Sequence, residues 1–261
     1  MLRVIVPDSH GQSIDPQASR AFLDDLRYLD PGEMVLLGDH LDAGGVFSAH
    51  PRQSPDELSY SYVDDCKAAN DFLDLIQARA KNATIHYLEG NHEFHLARWA
   101  ARTFSSRADA EHAVARLGPA AELRLKGRGI RYYRADVQHH GIASPGAIRL
   151  GRCVFTHGSR AGKYATAATL DDFGCNVVHG HTHRAQSFMR RTAASGEIGA
   201  WCPGTLSVLQ PIYLHTSVSS WSHGYAIQFV QNDGRFVHVN VPIARGVSML
   251  KPMLKAMNAR K

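Results

Sequence analysis

The chain has 261 residues, 44% hydrophobic and 20% charged, which supplies a full apolar core and excludes a disordered or low-complexity protein. Its net charge of +5 suits a polyanionic partner such as nucleic acid, although the arginines are scattered and form no block. No window approaches the roughly 18 consecutive apolar residues of a membrane span, and "MLRVIVPDSHG" is too short an apolar run for a signal peptide. The expectation is a cytoplasmic protein without membrane association. Cys66, Cys153, Cys175 and Cys202 show no close pairing, which argues against a disulfide framework. Cys153 and Cys175 lie in apolar runs and read as buried free thiols. The sixteen histidines are the unusual feature and point to metal or proton chemistry.

In chain order, Leu2–Pro7 reads as a strand, and "DPQASRAFLDDLRYLD" has helical periodicity with Asp15 as N-cap and Pro16 at the first helical position. Met34–Leu37 is the next strand. The loop "AGGVFSAHPRQSP" follows, and then "DELSYSYVDDCKAANDFLDLIQARA" as a long amphipathic helix. Residues 43–81 are a candidate lid or cap insertion, with the 43–55 loop on the side where ligands would collect. Thr84–Leu88 is a third strand, with a helix from about His92 to Leu117. Cys153–Thr156 and Val177–Val178 are short strands separated by a helix around Gly162–Asp172. This β–α alternation argues for an α/β architecture. The last third changes character: "SFMRRTAASGEIGAW" and "GYAIQFVQNDGRFVHVNVPI" read as hairpins, the second turning at Asn232-Asp233-Gly234. Residues 246–261 are a basic tail. No linker or internal repeat divides the chain, so a single domain over 1–261 is expected.

Chemistry-bearing groups sit just after each strand: Asp8-Ser9-His10, "GDHLD" with Asp39 and Asp42, "GNHE" with Asn91, His92 and Glu93, "THG" with His157, and "HGHTH" with His179, His181 and His183. Strand carboxyl ends are where ligands gather in open α/β sheets, so groups far apart in sequence can converge there. Taken alone, the bland reading of Asp39 or Asn91 is a helix cap, and of the alternating histidines a solvated turn. Capping does not explain why five such segments follow five strands.

The ordered series D-x-H, G-D-x-x-D, G-N-H-E, H and G-H-x-H resembles the calcineurin-like metallophosphoesterase superfamily over Asp8 to His183, and "CPGT" at Cys202–Thr205 is similar to that family's proline-glycine turn. The resemblance implies a layered αββα sandwich of two mixed sheets flanked by helices. It also implies two divalent metal ions, one held by Asp8, His10 and His183 and the other by Asn91, His157 and His181, with Asp39 bridging. Imidazole and carboxylate ligands suit Mn, Fe or Zn, with Mn favoured, and no cysteine adjoins the set. His92 takes the family's proton-donor role, oriented by Asp42. The implied reaction is hydrolysis of a phosphate ester by metal-activated water.

Size and charge favour a phosphodiester in a nucleotide or nucleic acid. The arginine that protein phosphatases of the family carry after G-D-x-x-D is absent, with Ala43 in its place. A phosphomonoesterase, including a protein phosphatase, is the alternative. So is a catalytically silent metal-binding scaffold of the same fold, such as the superfamily's retromer subunit. Lipid A precursor hydrolases rank lower, because they carry arginine where His92 stands. Overall layout is similar to uncharacterised phage-type members. Oligomeric state cannot be read from the pattern. Glu93 is expected to support its loop, His179 to be a hydrogen-bonding partner outside the ligand set, and "WSHGY" to pack at a strand edge, with an aromatic wall near substrate as the alternative. Arg160, Lys163 and Arg184 read as solvated charges, with contact to a substrate phosphate as the alternative, and His95 is assigned no role, a place at the pocket border being its lesser alternative.

Overall fold

In a computed structural model of the protein, residues 1–44, 47, 60–211, 214 and 218–252 are described. The first half is built on parallel strands. β1 (Leu2–Val6) leads through a 3-10 turn at Gly11–Ser13 into α1 (Pro16–Leu29), which is followed by β2 (Glu33–Leu36), α2 (Tyr62–Arg79) and β3 (Thr84–Leu88). Three further helices, α3 (His95–Thr103), α4 (Arg107–Leu117) and α5 (Pro119–Glu122), precede β4 (Arg131–Tyr133). A second set follows: β5 (Ile148–Leu150), β6 (Cys153–Thr156), α6 (Ala165–Phe173), β7 (Val177–His179), β8 (Ala185–Thr192) and β9 (Gly196–Pro203). The chain then returns to the first sheet with β10 (Gly224–Val230), β11 (Phe236–Ala244) and β12 (Val247–Ser248).

Two mixed sheets result. Seven strands are ordered β12-β11-β10-β1-β2-β3-β4, and five are ordered β5-β6-β7-β9-β8. β1 to β4 pair in parallel, as do β6, β7 and β9. Strand alternation sorts the core into layers. Val4, Val6, Met34 and Leu36 face α1 and α2 and pack with Phe22, Leu26, Phe72 and Leu73. Ile5, Val35 and Leu37 point the other way, onto Phe155 and Val178 of the second sheet. Both faces of β1 and β2 are therefore buried, which is why these strands read as unbroken apolar runs. α6 covers the outer face of the second sheet against β7, β8 and β9. The arrangement is the αββα sandwich expected from the sequence.

Local chemistry sets the element ends. Asp15 accepts hydrogen bonds from the backbone N–H of Gln17 at 2.9 Å and Ala18 at 2.8 Å, ahead of Pro16. The hairpin between β10 and β11 turns at Gly234, whose φ of 81° needs a residue without a Cβ. The single helix expected from about His92 to Leu117 is instead two. α3 ends at Phe104, and Ser106 caps α4 by accepting from the Asp109 N–H at 3.1 Å, a local alternative that tandem serines offer the backbone. α3 also begins later than expected, because residues 91–94 are held in a turn. α6 starts at Ala165 rather than Gly162 and ends at left-handed Gly174. β4, β5, β12 and α5 are too short to leave a periodic signal. Cys175 is only half buried, contrary to expectation, whereas Cys66, Cys153 and Cys202 are buried and all four are free thiols.

Of the 43–55 loop only Ala43, Gly44 and Phe47 fall among the described residues, where the Phe47 ring meets Trp99 with centroids 5.1 Å apart. The tail beyond residue 252 lies outside them. No described helix is long and apolar enough to cross a membrane.

Replacing the α1 cap, Asp15→Ala, is expected to cost about 1 kcal/mol of stability. The reading is a lower midpoint of urea unfolding at an unchanged slope; an unchanged midpoint would show that the helix end does not depend on this cap.

Candidate metal centre

Asp8, Asp39, Asn91, His157 and the pair His181 and His183 all follow strand ends, and the fold gathers them at one edge of the sandwich. Two clusters form. Asp8, His10 and His183 bring one ligand atom each within 4.8 Å of one another, and Asp39, His157 and His181 do the same. Asn91 joins the second group, its Oδ1 lying 2.9 Å from His157 Nε2. A third overlapping group, His10, Asp39 and His92, sits between them. Every residue expected as a ligand is therefore in this assembly, with Asp39 next to both halves.

The loops are held by buried backbone contacts. The Glu93 carboxylate, 2% exposed, accepts the backbone N–H groups of Asp39 (2.9 Å), His40 (2.7 Å), Leu41 (3.1 Å) and Gly90 (2.9 Å), and the Tyr87 hydroxyl at 2.7 Å. It clamps the loop after β2 to the loop after β3. His92 N–H in turn donates to Asp39 Oδ1 at 2.9 Å. The Asp8 carbonyl accepts from Thr205 Oγ1 at 2.9 Å and from Leu206 N–H at 2.8 Å, so the "CPGT" turn anchors the first loop. Asp65 of α2 accepts from the N–H groups of Gln12, Asp42 and Ala43 at 3.0–3.1 Å. A Cβ at Gly90 would fall on Asp39 Oδ1 and its backbone N, and one at Gly180 would press on Asp8 Oδ1. His10, Asp39, His181 and His183 all hold left-handed φ values between 51° and 68°. For residues with a Cβ this is strained, and such strain clusters at functional sites.

Hydrogen bonding fixes which imidazole nitrogens face inward. His157 Nδ1–H donates to the Leu37 carbonyl at 2.9 Å, and His10 Nδ1–H to Asp42 Oδ1 at 2.9 Å. Both rings therefore turn Nε2 to the centre, as imidazoles oriented by an outer partner do in metal sites. His157 Nε2 lies 3.1 Å from Asp39 Oδ2, and His10 Nε2 lies 3.1 Å from His183 Nε2. Nδ1 of His181 and Nδ1 of His183 are buried without a partner. Lone-pair nitrogens and carboxylate oxygens crowding two points, with orphaned imidazole nitrogens beside them, form a donor set that fits divalent cations.

Burial and neighbouring charges set the protonation of the cluster. Burial would lower the His157 pKa, but the Asp39 carboxylate outweighs it and pushes the ring up to about 9. His92 rises to about 10 in the same way, with Asp39 and Asp42 overcoming burial. Burial would raise Asp8, yet His183 holds it down to about 2. Burial, helped by the neighbouring His157, takes His181 down to about 4. Burial and then Asp39 lift Glu93 to about 7 against its donors.

Residues outside the ligand set fall into place around it. His92 Nδ1–H donates to the Asp42 backbone carbonyl at 2.7 Å, with Asp42 Oδ1 at 3.4 Å, and its side chain is 26% exposed. His179 is buried and bonded to Thr166 Oγ1 and the Gly180 carbonyl, each at 2.9 Å. Trp221 corrects the expectation of a strand-edge packing cluster: its ring stands edge-on to His183 with centroids 4.1 Å apart. The alternative reading of that segment, an aromatic wall near substrate, is the one that fits this contact. Arg160 is paired through two hydrogen bonds with Asp172, and Arg184 donates to the carbonyls of Ala161 and Gly162.

No family model matches the chain, and no curated protein matches it. Solved structures do. A single mutant of Vps29 from Entamoeba histolytica has a TM-score of 0.45 at 12% identity, covering 95% of this chain and 96% of that one. YfcE, a phosphoesterase from E. coli, has a TM-score of 0.37 at 17% identity over 92% and 99% of the two chains. The Pseudomonas putida nuclease MPE scores 0.31 at 14% identity over 91% and 87%. At such scores these likenesses carry no weight, whereas the side-chain geometry does. The chain resembles the calcineurin-like metallophosphoesterases. The resemblance now includes the convergence in space of the five motif segments.

Two outcomes are expected. A divalent ion needs His157 Nε2 without its proton, and near pH 7.5 a ring raised to about 9 still carries one. Binding should then release about one proton, measured by titration calorimetry in buffers of different ionisation enthalpy, and apparent affinity should rise with pH up to about 9. Independence from buffer would contradict that assignment. Separately, Gly90→Ala should displace Asp39 and reduce bound Mn²⁺, counted by elemental analysis, while circular dichroism shows a folded chain.

Proposed function

We propose that the protein is a dinuclear metal-dependent phosphoesterase that hydrolyses a phosphodiester in a nucleotide or nucleic acid, with Mn²⁺ as the favoured ion. One observation carries this reading: two ligand clusters flank Asp39, and the outer nitrogens of His10 and His157 are already committed to partners. Asp8, His10 and His183 would hold one ion and Asn91, His157 and His181 the other, with Asp39 between them. Bound there, two divalent ions supply polarisation of a phosphoryl group and a water acidic enough to attack near neutral pH.

The chain's own residues supply the rest. His92 Nδ1–H is tied to the Asp42 carbonyl, which fixes the ring orientation and leaves Nε2 as the nitrogen for proton transfer. Its raised pKa keeps a proton on Nε2 near neutral pH. Once the Asp39 charge is shared with bound cations, that proton is held less tightly, which moves His92 towards the range where a general acid works. Asp42 contributes twice, orienting His92 through its carbonyl and His10 through its carboxylate. The net charge of +5 and Ala43 after Asp42 favour a nucleotide-like diester over a phosphoprotein.

The test compares bis-p-nitrophenyl phosphate, p-nitrophenyl phosphate and a dinucleotide after metal stripping and Mn²⁺ reloading. Diesters should be preferred, and activity should need the metal. p-Nitrophenolate leaves without protonation, whereas a sugar alkoxide does not. His92→Ala should thus cost about 100-fold on the dinucleotide and far less on the nitrophenyl diester, at unchanged metal content. Equal losses on both would remove the acid role from His92. Absence of turnover with two metals bound would replace the enzyme reading with a binding one.

A further inference from the structure

A cleft of ≈ 350 Å³ opens from Asn91 and His157 and runs outward between α3 and α6. It touches the second ligand cluster through those two residues and is lined by no residue of the first cluster, nor by His92 or Asp42. This asymmetry has a chemical meaning. In an in-line displacement the leaving group departs where His92 can protonate it. A phosphate seated at the metal centre therefore directs its leaving oxygen towards His92 and a second, retained substituent elsewhere. A cleft that opens beside Asn91 and His157 and is not lined by His92 is where that second substituent would go. A phosphomonoester has no second substituent to place there, and a phosphodiester does.

The walls indicate what that substituent is. Phe94 and Phe173 are half-buried aromatic rings on opposite sides, from the turn before α3 and the end of α6. The Arg98 guanidinium stands over the Phe94 ring, 5.4 Å from its centroid. Among the described residues Arg98 has no carboxylate at ion-pair distance, whereas Arg160 across the cleft is neutralised by Asp172. An exposed guanidinium held over an aromatic ring offers a planar cation on which nucleobases stack. Ser144 and Ser159 make the rim polar, which suits a sugar better than an acyl chain.

We infer that this cleft binds the retained nucleoside of a phosphodiester, with Arg98 on Phe94 as the stacking platform that selects it. The inference rests on the phosphoesterase reading and deepens it by assigning the substrate's second arm.

The test holds the leaving group constant. Thymidine 5′-(p-nitrophenyl phosphate) and methyl p-nitrophenyl phosphate both release p-nitrophenolate and differ only in the retained substituent. The Mn²⁺-loaded protein should prefer the thymidine ester by about tenfold in kcat/KM, and Arg98→Ala should bring the ratio most of the way to one. Arg98→Lys keeps the charge without the plane and should restore little of it; full rescue by lysine would overturn the stacking assignment. A wild-type ratio near one, or a ratio indifferent to Arg98, would overturn the inference. If neither ester turns over, calorimetry with thymidine 5′-monophosphate and methyl phosphate separates the two readings. Tighter thymidine binding that is lost in Arg98→Ala upholds the cleft and removes the hydrolase, and equal affinities remove the cleft.

Discussion

The Glu93 carboxylate determines where the two most important loops sit. Four backbone N–H groups from residues 39–41 and 90, and one tyrosine hydroxyl, converge on it inside the protein. Each of those donors would be unsatisfied without it, and a buried donor left unpaired costs about 1–3 kcal/mol. The clamp does more than stabilise. It fixes the relation between Asp39, at the end of β2, and Asn91 and His92, at the end of β3. A metal centre assembled from separate loops needs that relation held to a few tenths of an ångström.

Around this anchor the protein tolerates strain and like charges that nothing else in the fold requires. Left-handed backbone at His10, Asp39, His181 and His183 costs about 1–3 kcal/mol each for residues that carry a Cβ. Together with Asp8 and His157, these positions bring two carboxylates and four imidazoles into one small volume. In the protonated cluster the balance is kept by His157 and His92, each lifted by carboxylates against its own burial. Divalent cations would replace those protons as the counter-charge. The centre is thus arranged around positive charge, and the question of which cation supplies it connects folding to function.

The cleft extends the same logic to the substrate. On the proposed reading, its position beside one ligand cluster would distinguish the two oxygen substituents of a diester. Arg160 pairs with Asp172 on one wall and Asp136 with Arg134 on another, so among the described residues Arg98 is the cleft's cation without a carboxylate at ion-pair distance. The overall charge of +5 suggests a polyanion only vaguely, and this local arrangement sharpens the suggestion to a planar, polar substituent.

Much of this was legible in the chain itself. The unbroken apolar run of β1 and the Asp15-Pro16 start of α1 are contiguous features of the chain, and so survive in a linear reading. The ligand types were legible for a similar reason: each motif is contiguous and follows its strand directly. The short strands β4 and β5 and the half-exposure of Cys175 were missed because pairing and packing with distant segments decide them, and the break at Ser105-Ser106 because a local serine cap interrupts an otherwise continuous helical pattern. The placement of Arg98 over Phe94 belongs to the same class, since no spacing marks it. By itself, then, the sequence determined which residues could bind metal and roughly where strands and helices run. Only the tertiary structure decided that they meet in two clusters around Asp39, with a cleft on one side, because convergence depends on contacts between loops more than a hundred residues apart.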